Sequence, residues 1–312
     1  MNHFIMNHFK ISLRAETRIR RPLVSMPAMD PLHAPDWLSA TLTVLTAASF
    51  TPQLRRIWSR SSSTDISIIR LLMTLILATE HFTFFFFLLF NHPRDIDQFV
   101  HSPLTTSDWL NFTHVTVVWM CFLVLFVSAL YHIPPQRDCT IILGGIAYVL
   151  FLISVIPQFL DATTDLFGRE SKGYGRDFLL VMFGMLHAVY IHPAIVIISI
   201  ISVLLQMYKA AHPWDGVVSS WGLALQAIVF AVTGVSWFGR ISFGDEERDF
   251  PTWYAFLGWP TVDYLVLATM QATVLGIAVC CRRKTAGSGV VEDGEVSEPL
   301  LGEVLLLGGR ED

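Results

Sequence analysis

Apolar residues fall in seven continuous blocks, each near the roughly 20 residues that a helix needs to cross the hydrocarbon core. The blocks lie at 37–57, 66–90, 109–131, 140–160, somewhere within 178–208, 217–238 and 261–280. Their apolar character is continuous, not alternating, which excludes membrane-spanning strands. The fifth block is too long for one straight span and contains Pro193. It predicts a kink, or a short interfacial piece ahead of the main helix. The pattern as a whole predicts an all-α membrane protein with seven transmembrane helices.

Composition agrees. Of 312 residues, 53% are hydrophobic and 15% charged, whereas a soluble domain carries about 25% charged residues. The net charge of −5, without a long basic stripe, excludes a nucleic-acid partner. Four cysteines give no disulfide scaffold. No Ser/His/Asp set, metal-ligand cluster or phosphate-binding glycine loop is visible, so neither enzyme activity nor a cofactor is expected. The acidity is local. Beyond Lys284 the chain carries seven acids against Arg310, while residues 1–36 are basic through Lys10, Arg14, Arg18, Arg20 and Arg21. Both ends, 1–36 and 282–312, read as solvated, disordered tails. The doubled Met-Asn-His-Phe at 1–4 and 6–9 points to a later start at Met26 or Met29. Arg55, Arg56 and Arg60 after the first block, and Arg282, Arg283 and Lys284 after the seventh, fall on one side. The links after the second and sixth blocks are acidic. The positive-inside rule then places the C-terminus in the cytosol and the N-terminus in the lumen. Arg169, Lys172 and Arg176 run against this, partly offset by Asp161, Asp165, Glu170 and Asp177.

The first block ends Thr51-Pro52-Gln53-Leu54-Arg55-Arg56, followed by a serine-rich link and Asp65-Ile66-Ser67. Pro52 removes a backbone donor and frees the carbonyl four residues earlier, that of Ala48. In lipid such a group needs protein or water to satisfy it, and Gln53 has both donor and acceptor to offer. This arrangement resembles the PQ-loop repeat family, which includes cystinosin-like exporters and SWEET-like sugar transporters; the wording around Pro52 is most similar to fungal members. The resemblance implies two parallel three-helix repeats, here 37–133 and 178–281, joined by a linker helix at 139–160. A second, weaker copy lies at Leu205-Gln206-Met207-Tyr208-Lys209 with Ser219-Ser220. Gln53 to Ser67 and Gln206 to Ser220 have the same spacing, and the cation at Gln+3 recurs as Arg56 and Lys209. Leu205 replaces the proline there, which leaves open whether the second half hinges at that point. Pro157-Gln158 is a competing match that repeat order argues against. The resemblance further implies a small-solute transporter, proton-coupled or not, in a vacuolar or lysosomal membrane. Its partners would be the bilayer, the solute, a proton and a second copy of the chain. The position that carries the coupling aspartate in cystinosin-like members is Ala227, with Gln226 beside it.

Polar residues inside the apolar blocks are the candidate site. Glu80 and His81 lie mid-span, Gln226 and Gln271 deeper in the sixth and seventh blocks. A carboxyl at membrane depth faces a cavity or a partner. Glu80 therefore reads either as a proton or substrate site or as a hydrogen bond holding the bundle together. His81 follows it by about 100° around a helix, so the two cannot face one cavity squarely. Asp263, at the start of the seventh block, reads as a solvated end residue. His187 and His192, five apart, lack the i,i+4 geometry of a helical metal pair, and the histidines read as packing or interfacial. Trp37, Trp109, Trp214, Trp221, Trp237, Trp253 and Trp259 read mainly as an interfacial belt. Cys280-Cys281 reads as a palmitoylation pair or as two ordinary apolar residues. A non-transporting cargo receptor or assembly factor of the secretory pathway is the competing function.

Overall fold

The computed structural model describes residues 35–60, 67–91, 100, 103–132, 138–164, 184, 186–209, 219–238, 254 and 258–287. All of them belong to one compact unit, Ala34–Asp312. Both tails, the charged links, Trp214 and Trp253 lie largely or wholly outside the described residues. The side chains of Pro157, Gln158, Gln206, Lys209 and Cys281 lie outside them too.

The described residues form seven long helices: α1 Asp36–Arg60, α2 Ile68–Asn91, α3 Thr106–Tyr131, α4 Asp138–Thr164, α5 His192–Lys209, α6 Ser220–Phe238 and α7 Trp259–Gly287. One wide π-type turn, Leu186–Ile191, leads into α5. Five segments are long and apolar enough to cross a membrane: Ile68–Phe90, Thr106–Tyr131, Leu186–Leu204, Ser220–Trp237 and Trp259–Cys280. These make the chain a multi-pass membrane protein. The shorter apolar stretch Ile142–Ile156 belongs to α4, while α1 is more polar and carries Asp36, Arg55, Arg56 and Arg60.

Helix starts are set by local chemistry. Thr105 and Asp108 form a capping box at α3: Thr105 Oγ1 accepts from the Asp108 amide at 3.3 Å, and Asp108 Oδ2 accepts from the Thr105 amide at 2.8 Å. Ser67 caps α2 by accepting from the Arg70 amide, and Ser219 caps α6 in the same way from the Gly222 amide. The capping serine of α6 is thus Ser219, one position before Ser220. Pro193 is the second residue of α5, which continues directly from the π-turn, so its missing N–H falls where the wide turn passes into the helix. Of the long fifth block the described part is this turn and α5, while 178–183 and 185 lie outside the described residues.

α2 is buried along nearly its whole length and packs on α3, α4, α5 and α7. α3 also packs on α1, α7 on α5 and α6, and α1 on α6. Around Phe82, the rings of Trp119 and Phe159 stack at centroid distances of 4.8 and 5.7 Å. The Trp119 indole donates to Thr79 Oγ1, which also lies 3.1 Å from the Tyr148 hydroxyl. One threonine thus ties α2 to α3 and α4. Leu143, Ile146, Leu150 and Ile153 on α4 and Ile197, Ile201 and Leu204 on α5 are exposed, as expected of surfaces that lipid covers.

The α6–α7 contact is close at Gly234. A Cβ there would meet Leu265 Cγ at 3.0 Å and the Thr261 carbonyl oxygen at 3.2 Å. At Gly222, on the α1–α6 contact, the nearest atom would be Pro52 Cβ at 3.5 Å. Gly234→Ala is therefore expected to cost about 1–3 kcal/mol through overpacking, with Gly222→Ala near neutral. Thermal unfolding of the two variants in detergent checks the contrast.

Candidate functional site

Ionisable side chains from four consecutive or neighbouring elements meet inside the bundle. Glu80 and His81 come from the middle of α2, His187 from the π-turn, His192 from the first residue of α5 and Asp263 from the start of α7. All five are buried, with relative exposures between 0 and 4%. His187 Nδ1 lies 2.6 Å from Glu80 Oε1. His192 Nε2 lies 3.1 Å from Asp263 Oδ1. An ionised carboxylate only accepts, so each of these ring nitrogens carries a proton while its partner is ionised. His81 Nδ1 lies 3.4 Å from Asp263 Oδ2, within ion-pair distance but without hydrogen-bond alignment. Asp263 is thus faced by two imidazoles and Glu80 by a third.

The π-turn explains why His187 and His192 act together. Five positions on an α-helix rotate by about 500°, leaving two side chains about 140° apart. A wider turn closes i→i+5 hydrogen bonds and brings such positions toward one side. Both imidazoles consequently point into the bundle, one toward α2 and one toward α7. Aromatic rings wall the layer. Trp259 lies 4.7 Å from the His81 ring and 5.9 Å from the His192 ring, and Phe84 lies 5.9 Å from His192. Tyr264 lies 5.0 Å from His81. Tyr254, from the link before α7, stacks obliquely at 5.9 Å from His192. Burial, and then the nearby Asp263 carboxylate, push the Tyr254 phenol well above its ordinary range, so it stays neutral.

Several polar atoms of the layer have no hydrogen-bond partner among the described residues: Glu80 Oε2, His81 Nε2, His192 Nδ1 and Asp263 Oδ2. In a buried setting such atoms are costly and call for a proton, water or ligand. Among the described residues no cluster suited to a metal ion is found.

A second polar step links this layer to Pro52. Tyr264 OH lies 3.3 Å from His114 Nδ1, and His114 Nε2 lies 3.0 Å from Thr46 Oγ1. One turn on, Gln226 Nε2 donates to the Ser49 carbonyl at 3.3 Å and, more weakly, to Gln53 Oε1 at 3.5 Å. The carbonyl that Gln226 reaches is the neighbour of the one that Pro52 frees. Gln53 and Gln226 are both buried, so α1 and α6 meet through their amides.

The sequence-derived residues thus separate into groups. Glu80 and His81 diverge to different partners, as their helical spacing requires. Gln53 and Gln226 come together. Gln271 is buried on α7 with Oε1 unpaired among the described residues. Arg55 and Arg56 lie in the last turns of α1, exposed and half-buried, and Ser67 caps α2. The backbone of Gln206 and Lys209 lies in the last turns of α5. One expectation is corrected. Asp263 is not a solvated end residue: it is 0% exposed and doubly faced by histidine. His187, His192 and His114 are packed inside the bundle and not interfacial, and each makes a buried polar contact there. Among the tryptophans, Trp37, Trp109 and Trp221 are exposed, whereas Trp237 and Trp259 are buried. Arg70 is also buried, in the first turn of α2. Its place at the end of an apolar block looks interfacial in the sequence, so no pattern marks it.

Comparison with known protein families, characterised proteins and solved structures finds no match.

Proposed function

We propose that the chain is a small-solute transporter of the PQ-loop type. Two three-helix halves, α1–α3 and α5–α7, would rock about a polar core in alternating access, with α4 as the linker. The observation that carries this reading is the pairing of helices. α3 packs on both α1 and α2, as α7 packs on both α5 and α6, and α1 meets α6 where α2 meets α5. Exchanging α1–α3 for α5–α7 therefore maps these contacts onto themselves, as two parallel repeats would. The equivalent caps of α2 and α6 by Ser67 and Ser219 support the same exchange. Pro52 lies against Gly222 at the contact between halves, where a helix break facilitates rocking. Gln53, Gln226, Glu80 and Asp263 supply the polar groups that a hydrophilic solute needs on its path. In this reading all seven helices cross an endomembrane with the C-terminus cytosolic, and the solute is an amino acid or a metabolite of similar size.

Purified protein in liposomes, given a panel of amino acids, sugars and cationic metabolites under either pH gradient, is expected to take up at least one above empty vesicles. Gln226→Ala should lower that flux about tenfold, the change in rate that a loss of about 1.4 kcal/mol corresponds to. Absence of flux for the whole panel, with a protein partner that co-purifies stably, would instead favour the cargo-receptor reading.

A further inference from the structure

Two polar contacts of the histidine–carboxylate layer, Glu80–His187 and His81–Asp263, cross from one half of the helix set to the other, while His192–Asp263 joins α5 to α7 within one half. Glu80 and His81 belong to α2; their partners His187 and Asp263 belong to the π-turn and α7. In α5 and α7 the layer lies toward the end at which those helices begin, since His192 opens α5 and Asp263 sits in the first turns of α7, and it meets α2 at mid-length. The Gln53–Gln226 contact lies toward the other end, near the last turns of α1 and the first turns of α6. We propose that Glu80, His81, His187, His192 and Asp263 form a proton-binding latch that holds the π-turn end of the bundle closed and releases it when the layer takes up a further proton. The proton-binding part rests on the geometry alone. Its use as a gate rests on the transporter reading.

Charge counting gives the direction. Two carboxylates face three imidazoles, all buried. Two protons shared among these groups beyond the ionised carboxylates and neutral imidazoles make the layer neutral. A third proton would leave a net buried positive charge, which a low-dielectric interior strongly disfavours. Water entering at the π-turn end removes that penalty. The open form therefore binds more protons than the closed form, and linkage makes acid favour opening. For a difference of one proton the closed-to-open ratio falls by about tenfold per pH unit. Among the described residues, α3 presents the His114 imidazole behind Tyr264, and α4 presents Tyr148 against Thr79. α7 presents the Tyr264 phenol, and the link before it the Tyr254 phenol, whose ionisation burial opposes. The aromatic wall of Trp259 and Phe84 keeps water out in the closed form. The unpartnered atoms His81 Nε2, Asp263 Oδ2 and Glu80 Oε2 are the places where the added proton and entering water find hydrogen bonds.

The test is the accessibility of Thr261, buried in the first turn of α7, two residues before Asp263. Thr261→Cys is placed in full-length protein with the four native cysteines replaced by serine, reconstituted in nanodiscs and treated with a polar thiol reagent. The reaction is followed between about pH 5 and about pH 8, the range in which histidine titrates. The intrinsic reactivity of a thiol falls on acidification, because the thiolate is the nucleophile. A rise toward acid, relative to Tyr131→Cys on the exposed end of α3, therefore reports opening. Its loss in the Glu80→Gln, Asp263→Asn double variant assigns the switch to the layer. Independently, infrared pH-difference spectra of the unmodified protein should contain imidazole or carboxyl bands that this double variant removes. A thiol whose relative reactivity does not rise with acid, or spectra that the double variant leaves unchanged, would overturn the latch. Solute flux without the accessibility switch would remove the latch and keep the transporter reading. The switch without flux for any solute would do the reverse.

Discussion

Asp263→Ala is expected to destabilise the protein by about 3–5 kcal/mol, the range found when one partner of a buried ion pair is removed. Asp263 is the hub of the layer: His192 lies 3.1 Å from one of its oxygens, and His81 lies 3.4 Å from its second oxygen. Its removal leaves the buried His192 imidazole without its balancing charge and takes away the carboxylate that His81 faces, on α5 and α2 at once. It also leaves a void at the start of α7, between helices held together there by little else that is polar. Asp263→Asn keeps the shape and one acceptor but not the charge, and should fall between alanine and wild type. Unfolding by heat or denaturant in detergent micelles measures the series. Because the groups are buried, added salt should change it little, unlike a surface pair. A loss below about 1 kcal/mol for Asp263→Ala, the scale of an exposed pair, would show that the carboxylate does not bear the charge balance described above.

What the amino-acid pattern makes legible is the course of each helix, and the reason is that lipid imposes a rule residue by residue. Apolar blocks at 66–90, 109–131 and 217–238 correspond to α2, α3 and α6 within a few residues at each end. Their ends are marked by groups that hydropathy and capping chemistry both register, such as Thr105 with Asp108 and Ser219 with Gly222. The α5 region is different. Its excess length is visible, but not that part of it forms a π-turn, since no residue type selects that turn. This one irregularity has a large consequence. Read as an α-helix, His187 and His192 diverge; across the π-turn they converge. Asp263 is misread for a related reason. Hydropathy locates a residue along the membrane normal, and the first turn of an apolar block looks interfacial. Whether that turn is wet depends on its neighbours, here Trp259, His81 and His192, which are remote in sequence. Glu80 is legible because a carboxyl in mid-block has few alternatives. Its partner is not, because the pairing spans 107 residues and leaves no periodic trace.

Glue and function make opposite predictions for the Glu80–His187 pair, and a double-mutant cycle separates them. Glu80→Leu alone strands a buried imidazole, and His187→Leu alone strands a buried carboxyl. Each is expected to cost about 3–5 kcal/mol. Made together, the substitutions leave no unpaired charge. Replacement of a buried ion pair by apolar residues of similar volume is often neutral or stabilising, and the site already has apolar walls, with Phe84 6.4 Å from the His187 ring. The double variant should therefore recover most of the lost stability, giving a coupling of several kcal/mol between residues whose Oε1 and Nδ1 lie 2.6 Å apart. If the pair only fastens α2 to the π-turn, this repaired protein behaves like wild type in the thiol-accessibility experiment. If the pair carries protons, it is stable and yet its response to acid is weakened, because one carboxylate and one imidazole have left the count. A stable double variant with an intact acid response would assign the pair to packing and leave Asp263, with His81 and His192, as the titrating group. Additive losses of stability would instead show that Glu80 and His187 are each held by other contacts, and that the short distance between them contributes little to holding α2 against the entry to α5.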